Sequence, residues 1–138
     1  ITTRLVGSEM CIRDRDTAIV LGECFAKALG SKKGIERYGF ALPMDDAKAE
    51  VLLDFGGRTW LEWGVTLKRE YVGDFPTEMA RHFFASFCQS GLCNLHISAQ
   101  GENTHHILEA VFKAFARAVR QAIRQTGGGI PSSKGCLA

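Results

Sequence analysis

The spacing of apolar residues changes along the chain from a helical repeat to alternation and back again. Residues 16–30 carry apolar side chains three and four apart, residues 37–72 alternate apolar and polar side chains, and helical spacing returns after residue 77. An amphipathic helix repeats every 3.6 residues and a half-buried strand every 2. The two periods therefore predict an α+β protein in which strands and helices occupy separate runs.

Glycine and proline divide these runs into elements. We predict three helices, Asp16 to Gly30, about Thr77 to Gly91, and about Thr104 to Gln125. We predict strands at Tyr38–Leu42, Ala49–Phe55, Thr59–Trp63 and Asn94–Ser98, and a loop at Gly127–Pro131. The pair Gly56-Gly57 favours a tight turn between antiparallel strands. The expected architecture is a two-layer sandwich of an antiparallel sheet with its helices on one face.

Composition excludes several classes of protein. A chain of 138 residues suits one domain, and its apolar residues are interrupted too often for a membrane span. The net charge of +2, from 17 basic and 15 acidic side chains, is too balanced to indicate a nucleic-acid partner. Five cysteines without a CxxC pair predict free thiols in a reducing compartment, and hence a cytoplasmic protein.

The first fifteen residues differ from the remainder. They show no convincing period, do not begin with Met, and end in the polar run Arg13-Asp14-Arg15. We interpret residues 1–15 as a foreign N-terminal segment that does not belong to the fold, and residues 16–138 as the domain.

Candidate metal ligands are concentrated at the start of the third predicted helix. His105 and Glu109 are four residues apart and share a helical face, and His106 lies three residues before Glu109. Imidazole and carboxylate together suit manganese, iron or zinc. His82 is a further candidate and His96 a weaker one that we leave out. Against this, carboxylates near a helix N-terminus are also favoured by the helix dipole alone, and His82 could be a boundary residue.

A second constellation suits an anion such as phosphate. Lys113 follows Glu109 by one helical turn, and the segment from Ser132 to Gly135 combines hydroxyls, the Lys134 ammonium and a glycine that admits close backbone approach. Lys113 and this segment could meet one oxyanion. The alternative is a solvated flexible tail. Arg37 and Arg58 are ambiguous on their own, because most such arginines are simply solvated.

Several motifs together resemble imidazoleglycerol-phosphate dehydratases. They include Asn103-Thr-His-His-Ile-Leu-Glu109 with Lys113, Ile130-Pro-Ser-Ser-Lys-Gly135, Lys33-Gly-Ile-Glu-Arg37, Leu53-Asp-Phe-Gly-Gly-Arg58 and Glu78-Met-Ala-Arg-His82. The resemblance covers residues 16–137 in the expected order. It implies a tandem duplication of an α+β half-domain, a fold also found in ribosomal proteins, with the first half incomplete here.

The resemblance also implies roles and partners. It implies a site with two Mn²⁺ ions that act as Lewis acids on a small phosphorylated imidazole substrate, from which carboxylate acid/base chemistry removes water. It implies a homo-oligomer of octahedral symmetry built from trimers, with sites at subunit interfaces, and neither nucleic acid nor membrane as a partner. The implied metal ligands are His82, His105, His106 and Glu109, and the implied phosphate-binding residues are Arg37, Arg58, Lys113, Ser132 and Lys134.

The chain departs from the family pattern at its start. The resemblance implies two histidines and a glutamate where Cys11, Ile12 and Arg15 stand, and only Asp16 of that motif is retained. The family's acid/base glutamate would lie earlier still, so no catalytic residue is assigned here. Two other hypotheses remain: an inactive fragment that keeps metal and phosphate binding, and an RNA-binding module supported only by the basic last helix.

Overall fold

The computed structural model describes residues 2–39 and 43–135. Its helices are α1 (Thr2–Leu29), α2 (Glu78–Gly91) and α3 (Thr104–Ala122). Its strands are β1 (Tyr38–Gly39), β2 (Pro43–Met44), β3 (Ala47–Asp54), β4 (Trp60–Val65), β5 (Tyr71–Val72), β6 (Phe75–Pro76) and β7 (Asn94–Gln100). Within the described ranges, no helix combines the length and the apolar character needed to span a bilayer.

The main sheet is mixed, so the predicted antiparallel sheet is wrong in part. β7 lies between β3, with which it pairs antiparallel, and β4, with which it pairs parallel. β1 and β2 both pair antiparallel with β3 on its other side. The Gly56-Gly57 segment therefore connects two strands that are not neighbours, and it is not a hairpin turn. Alternation in a sequence reports which face of a strand is buried, and it does not report which strand lies next to it.

Two helices, α2 and α3, cover one face of this sheet, as predicted for an α+β sandwich, and α1 packs on α2. Ala47, Ala49, Val51 and Leu53 of β3 are buried, and the residues between them point to the other, open face. β7 repeats the pattern, because its alternate residues are buried and exposed. The buried side of α3 packs on β3, and α2 packs between α1 and β4. The duplication of the half-domain remains a prediction.

Aromatic side chains join the helices to one another and to the sheet. Phe84 of α2 is fully buried, and its ring lies 5.1–5.8 Å, centroid to centroid, from four other rings. Those rings belong to Trp63, Phe83, Phe112 and Phe115. Full burial of one such side chain contributes roughly 1.5–3 kcal/mol, so this cluster fixes α2 against α3.

The first helix is longer than predicted. α1 begins at Thr2 rather than Asp16 and runs unbroken through residue 15. Residues 2–15 contain no proline and include several good helix formers, so nothing local stops a helix there. Its end agrees with the prediction, because Gly30 has φ +49° and its amide donates to the Ala26 carbonyl at 3.2 Å. A foreign origin for residues 1–15 remains a prediction.

The other element ends agree with the sequence to within a few residues. α3 ends at Ala122, three residues before the predicted Gln125, because Gln125 instead pairs with Ile35 in a short bridge. The loop after α3 is present, and the predicted strand at 38–42 is observed as β1, with residues 40–42 outside the described part of the chain. The left-handed residue after α2 is Leu92 rather than Gly91.

Gly22 of α1 lets α1 and α2 approach closely beside Gly91. A Cβ added at Gly22 would lie 2.8 Å from the Gly91 nitrogen and 2.1 Å from Ser90 Oγ. No side chain fits at Gly22 without moving one of the helices.

We therefore expect Gly22→Ala to lower the free energy of unfolding by about 1–3 kcal/mol, the usual cost of overpacking a tight contact. Chemical denaturation measures it. Gly129→Ala is the control, because a Cβ there meets nothing within 4 Å. Equal stabilities of the Gly22→Ala and wild-type proteins would contradict the close crossing.

Candidate functional site

The start of α3 is held by the turn that precedes β3. Asp46 Oδ2 accepts hydrogen bonds from the Glu102 amide at 2.9 Å and the Asn103 amide at 3.0 Å. The Asn103 side chain in turn accepts the His105 amide at 2.9 Å, which makes Asn103 the helix cap. These bonds satisfy free amides at the helix start, so they fix where the following histidines lie.

The two adjacent histidines have different partners. His105 Nε2 lies 3.4 Å from Glu109 Oε2, and Glu109 Oε1 lies 2.7 Å from Lys113 Nζ. His106 Nδ1 instead contacts Asp46 Oδ1. Consecutive helical residues point about 100° apart, so one histidine joins the row along α3 and the other faces the β2–β3 turn.

Neighbouring charges and hydrogen bonds keep the carboxylates of Asp46 and Glu109 ionised. The hydrogen bond from His106, helped by the two backbone amides, holds the pKa of Asp46 far below its usual range. The same contact raises the pKa of His106. The Lys113 ammonium lowers the pKa of Glu109. A carboxylate must be ionised to bind a metal ion, so ionised carboxylates beside imidazoles allow this end of the chain to bind a cation.

The donor set fits a borderline divalent metal ion. Because Asp46 engages His106 Nδ1, the Nε2 of that ring is the nitrogen left to ligate, the arrangement in which a carboxylate orients a metal-bound histidine. His105 and Glu109 add one nitrogen and two carboxylate oxygens. Sequence reasoning missed Asp46, because it meets His106 across 60 residues and no short motif links them.

One chain supplies only part of a metal site. Among residues 2–39 and 43–135, no three histidine, cysteine, aspartate or glutamate side chains come close enough to hold one ion. His82, exposed on α2, therefore does not join the pair of His105 and Glu109 within the chain. His96 lies on the open face of the sheet, opposite Leu52 and Glu62. The role of His82 as a metal ligand remains a prediction, for a site to which more than one chain contributes.

An open cavity adjoins the metal end of the chain, by which we mean the start of α3 with His105, His106 and Glu109. It has a volume of about 380 Å³ and lies beside the first residues of α3. Its lining residues are Lys68, Arg69, Glu102, Asn103 and Thr104. The cavity has room for a small ligand beside the first residue of α3.

Arg37 is predicted to bind phosphate, but its guanidinium is already bonded within the chain. Its Nε and Nη2 donate to the Asp54 carboxylate at 2.5 and 2.9 Å, and its Nη1 donates to the Pro131 carbonyl at 2.8 Å. The two charged side chains are only 13% and 16% exposed. Gly56 permits this pair, because a Cβ there would lie 2.8 Å from Arg37 Nη2. Arg37 therefore anchors the loop that carries Ser132 and Lys134.

The loop after α3 is fixed to the segment after α1. The Gly34 amide donates to the Gly129 carbonyl at 3.2 Å, and the Thr126 amide donates to the Gly34 carbonyl at 2.6 Å. Ser132 Oγ accepts the Lys134 amide at 3.2 Å, which makes a turn of residues 132–135. The alternative of a solvated flexible tail therefore does not describe this segment, which is a docked loop as far as residue 135.

The metal and phosphate constellations lie at opposite ends of β3. Asp46, which holds His106, and Asp54, which holds Arg37, are eight residues apart along an extended strand, or roughly 26 Å.

Lys113 lies near the start of α3, at the end of the sheet that carries the histidines. It precedes Ala122 by nine helical residues, or about 14 Å, and the Ala122 carbonyl accepts a hydrogen bond from the Arg37 amide. Lys113 and the loop at 130–135 therefore lie toward opposite ends of one chain, and the phosphate-binding role of Lys113 remains a prediction.

Comparison with known proteins identifies a family. The model of the family described as imidazoleglycerol-phosphate dehydratase matches residues 11–119. The chain is 54% identical over 125 residues to a protein of Spirosoma linguale named histidine biosynthesis bifunctional protein HisB, and 56% identical over 124 residues to its namesake in Bacteroides fragilis. These alignments cover 88% of this chain and 33% of each relative, so the chain spans about a third of their length.

Two solved structures share the fold. The chain superimposes on imidazoleglycerol-phosphate dehydratase from Staphylococcus aureus with a TM-score of 0.79 and 38% identity, over 82% of this chain and 67% of that one. It superimposes on the Pyrococcus furiosus enzyme, crystallised in complex with (S)-C348, with a TM-score of 0.81 and 29% identity, over 92% and 71% of the two chains.

The Asp46–His106 contact makes stability depend on pH in a defined window. Asp46 has a lowered pKa, so its contribution is present above the unfolded value of about 3.9 and is lost as pH falls. His106 has a raised pKa, so its contribution is present below the unfolded value of about 6.5 and is lost as pH rises. Both contributions are complete only between these two values.

We expect Asp46→Asn to destabilise the metal-free protein most between about pH 4 and 6.5, with a smaller difference above that window. Unfolding midpoints across pH, measured in a chelator, test this. NMR titration of His106 should show a lower pKa in the variant. Asp45→Asn is the matched control and should change both quantities less. An unchanged His106 pKa in Asp46→Asn would contradict the contact.

Proposed function

The chain belongs to the imidazoleglycerol-phosphate dehydratase family, and we propose that it serves the removal of water from imidazole glycerol phosphate, which yields imidazole acetol phosphate in histidine biosynthesis. The observation that carries this proposal is the metal end of α3. There His105, His106 and Glu109 stand within the matched residues, and a carboxylate orients one of the imidazoles. In enzyme terms the reaction is that of a hydro-lyase.

We propose manganese as the metal, with two ions in the complete site. Nitrogen and oxygen donors support manganese, although iron and zinc accept the same donors. The ions would supply Lewis acidity toward the substrate's imidazole when bound. The residues that would hold them from this chain are His82, His105, His106 and Glu109.

The side chains around the metal end have separate tasks in this proposal. Asp46 holds the ring of His106 in one orientation. Lys113 keeps Glu109 ionised through their 2.7 Å contact, and we propose that its ammonium also stabilises an anionic oxygen of the substrate. No catalytic acid or base is assigned in this chain.

At the other end of the sheet, we propose that Arg58, Ser132 and Lys134 hold the substrate phosphate. Arg58 and Lys134 are exposed cations, and Ser132 lies at the start of the same turn as Lys134. Arg37 contributes its charge and anchors the loop through the Pro131 carbonyl. A phosphate held away from the reacting atoms orients the substrate without taking part in the chemistry.

We propose that each site is shared between two copies of the chain. The two ends lie roughly 26 Å apart along β3, a distance that one small phosphorylated substrate does not span. A site that uses both ends therefore takes its metal ligands from one copy and its phosphate ligands from another. This supports the expectation of a homo-oligomer; trimers within an octahedral shell, and a cytoplasmic location, remain predictions.

A second candidate is an inactive member of the family that still binds metal and phosphate. Cys11, Ile12 and Arg15 stand where the family resemblance implies two histidines and a glutamate. The substituted positions lie inside α1, so the helix forms without metal ligands there. This candidate predicts a folded protein without turnover.

A dehydration assay with manganese and imidazole glycerol phosphate separates the two candidates. We expect turnover from a protein in which positions 11, 12 and 15 are His, His and Glu within a complete N-terminal half, because its ligand set is complete. Turnover by the present chain would support the first candidate, and a folded present chain without turnover would support the second. Equal activity of the two proteins would show that the missing ligands are wrongly assigned.

Mixing variants tests the shared site. In the restored protein, His106→Ala and Lys134→Ala should each abolish most activity, because each damages one end. Refolded together in equal amounts, they should regain roughly a quarter of the wild-type activity, the share of interfaces that pair two intact ends. The control is each variant refolded alone. If the mixed variants assemble as the wild type does but recover no activity, a site made by two copies is contradicted.

A further inference from the structure

Lys32 is a buried cation without a hydrogen-bond partner. The residue is 5% exposed, and among the residues that the structure describes its Nζ contacts no acceptor within hydrogen-bond distance. Lysine is among the residues least often buried without a partner, and an unpaired buried ammonium carries a large desolvation cost. The adjacent Lys33 is exposed. Burial of Lys32 is therefore a property of its position rather than of the local sequence.

The backbone directs Lys32 inward. Its φ of +57° is left-handed, and its amide donates to the Leu29 carbonyl at 2.8 Å just beyond the end of α1. This places the residue between the helix and the segment that docks the loop after α3. Left-handed backbone is uncommon outside glycine and costs energy. Both the conformation and the burial therefore oppose a lysine here unless its charge has a use.

The side chain lies at the phosphate end of the sheet. Its electrostatic neighbours are Cys93, Asp54 and Arg37, and burial lowers the pKa of the ammonium. Asp54 is the carboxylate that Arg37 grips with two hydrogen bonds. The pair of Arg37 and Asp54 has no net charge, and Lys32 makes the group of three cationic.

We propose that Lys32 is a positioning residue for the substrate phosphate, an inference that rests on the proposed function. Its ammonium offsets the Asp54 carboxylate, so that Arg37 presents net positive charge toward an oxyanion held by Ser132 and Lys134. The charge acts through the Arg37–Asp54 pair and does not touch the ligand. Asp54 then fixes the guanidinium in place without cancelling the attraction for phosphate. A charge in a poorly solvated position acts more strongly than one in water.

Inorganic phosphate is the probe, titrated by NMR or calorimetry into the metal-free chain at low ionic strength. Lys32→Met keeps the length of the side chain and removes the charge, so we expect roughly tenfold weaker binding. Lys32→Arg keeps the charge and should bind within about twofold of wild type. Lys33→Met is the matched control, and it should bind phosphate as wild type does. Lys134→Ala should lose binding, which locates the probe.

Unfolding without phosphate distinguishes positioning from packing. Lys32→Met should be at least as stable as wild type, because it removes an unpaired buried charge. A loss of stability in both Lys32→Met and Lys32→Arg, with equal loss of phosphate binding, would overturn the proposal in favour of a packing role. In the unmodified protein, phosphate should raise the pKa of the Lys32 ammonium, observed by NMR of labelled lysine. An unmoved Lys32 signal at saturation would overturn it without any variant.

The outcomes separate this inference from the proposed function. If wild type and Lys32→Met bind phosphate equally and Lys134→Ala does not, the phosphate end stands and the role of Lys32 falls. If wild type itself binds no phosphate, the phosphate end of the proposed function and the role of Lys32 fall together, while the metal end of α3 is unaffected.

Discussion

The structure depends most on β3, a strand paired on both sides and buried along one face. Its backbone is fixed by β7 on one edge and by β1 and β2 on the other, and its alternate side chains support α3. An extended strand cannot shorten or bend sharply without losing these bonds. It therefore acts as a rigid spacer, and the groups at its two ends keep a constant separation of roughly 26 Å.

A carboxylate stands at each end of this spacer, and each orients a nitrogen-containing side chain. Asp46 holds the imidazole of His106 and the first amides of α3. Asp54 holds the guanidinium of Arg37 and, through it, the loop that carries Lys134. Both acids position other side chains. In the proposed function one end binds a divalent cation and the other an oxyanion, so the two ends would be complementary halves of one site.

Parts of this arrangement were predictable from local sequence. The positions of α2, β3, β7 and the start of α3 follow from apolar spacing and helix signals, because burial on one face imposes a period on each element. The grouping of His105, His106 and Glu109 was also local, since it lies within one helical turn. Asp46 and Lys32 were not found, because their contacts join residues far apart in the chain. The predicted start of α1 was wrong because residues 2–15 contain no signal that breaks a helix.

The sequence by itself determined the fold class, the family and the residue types available for metal and phosphate, because periodicity and motifs are written in consecutive residues. Only the tertiary structure decided that β7 separates β3 from β4, that Asp54 engages Arg37, and that Lys113 stands apart from Lys134. The physical reason is that strand order and charge pairing depend on distances between segments, and those distances are set by the packing of helices on the sheet.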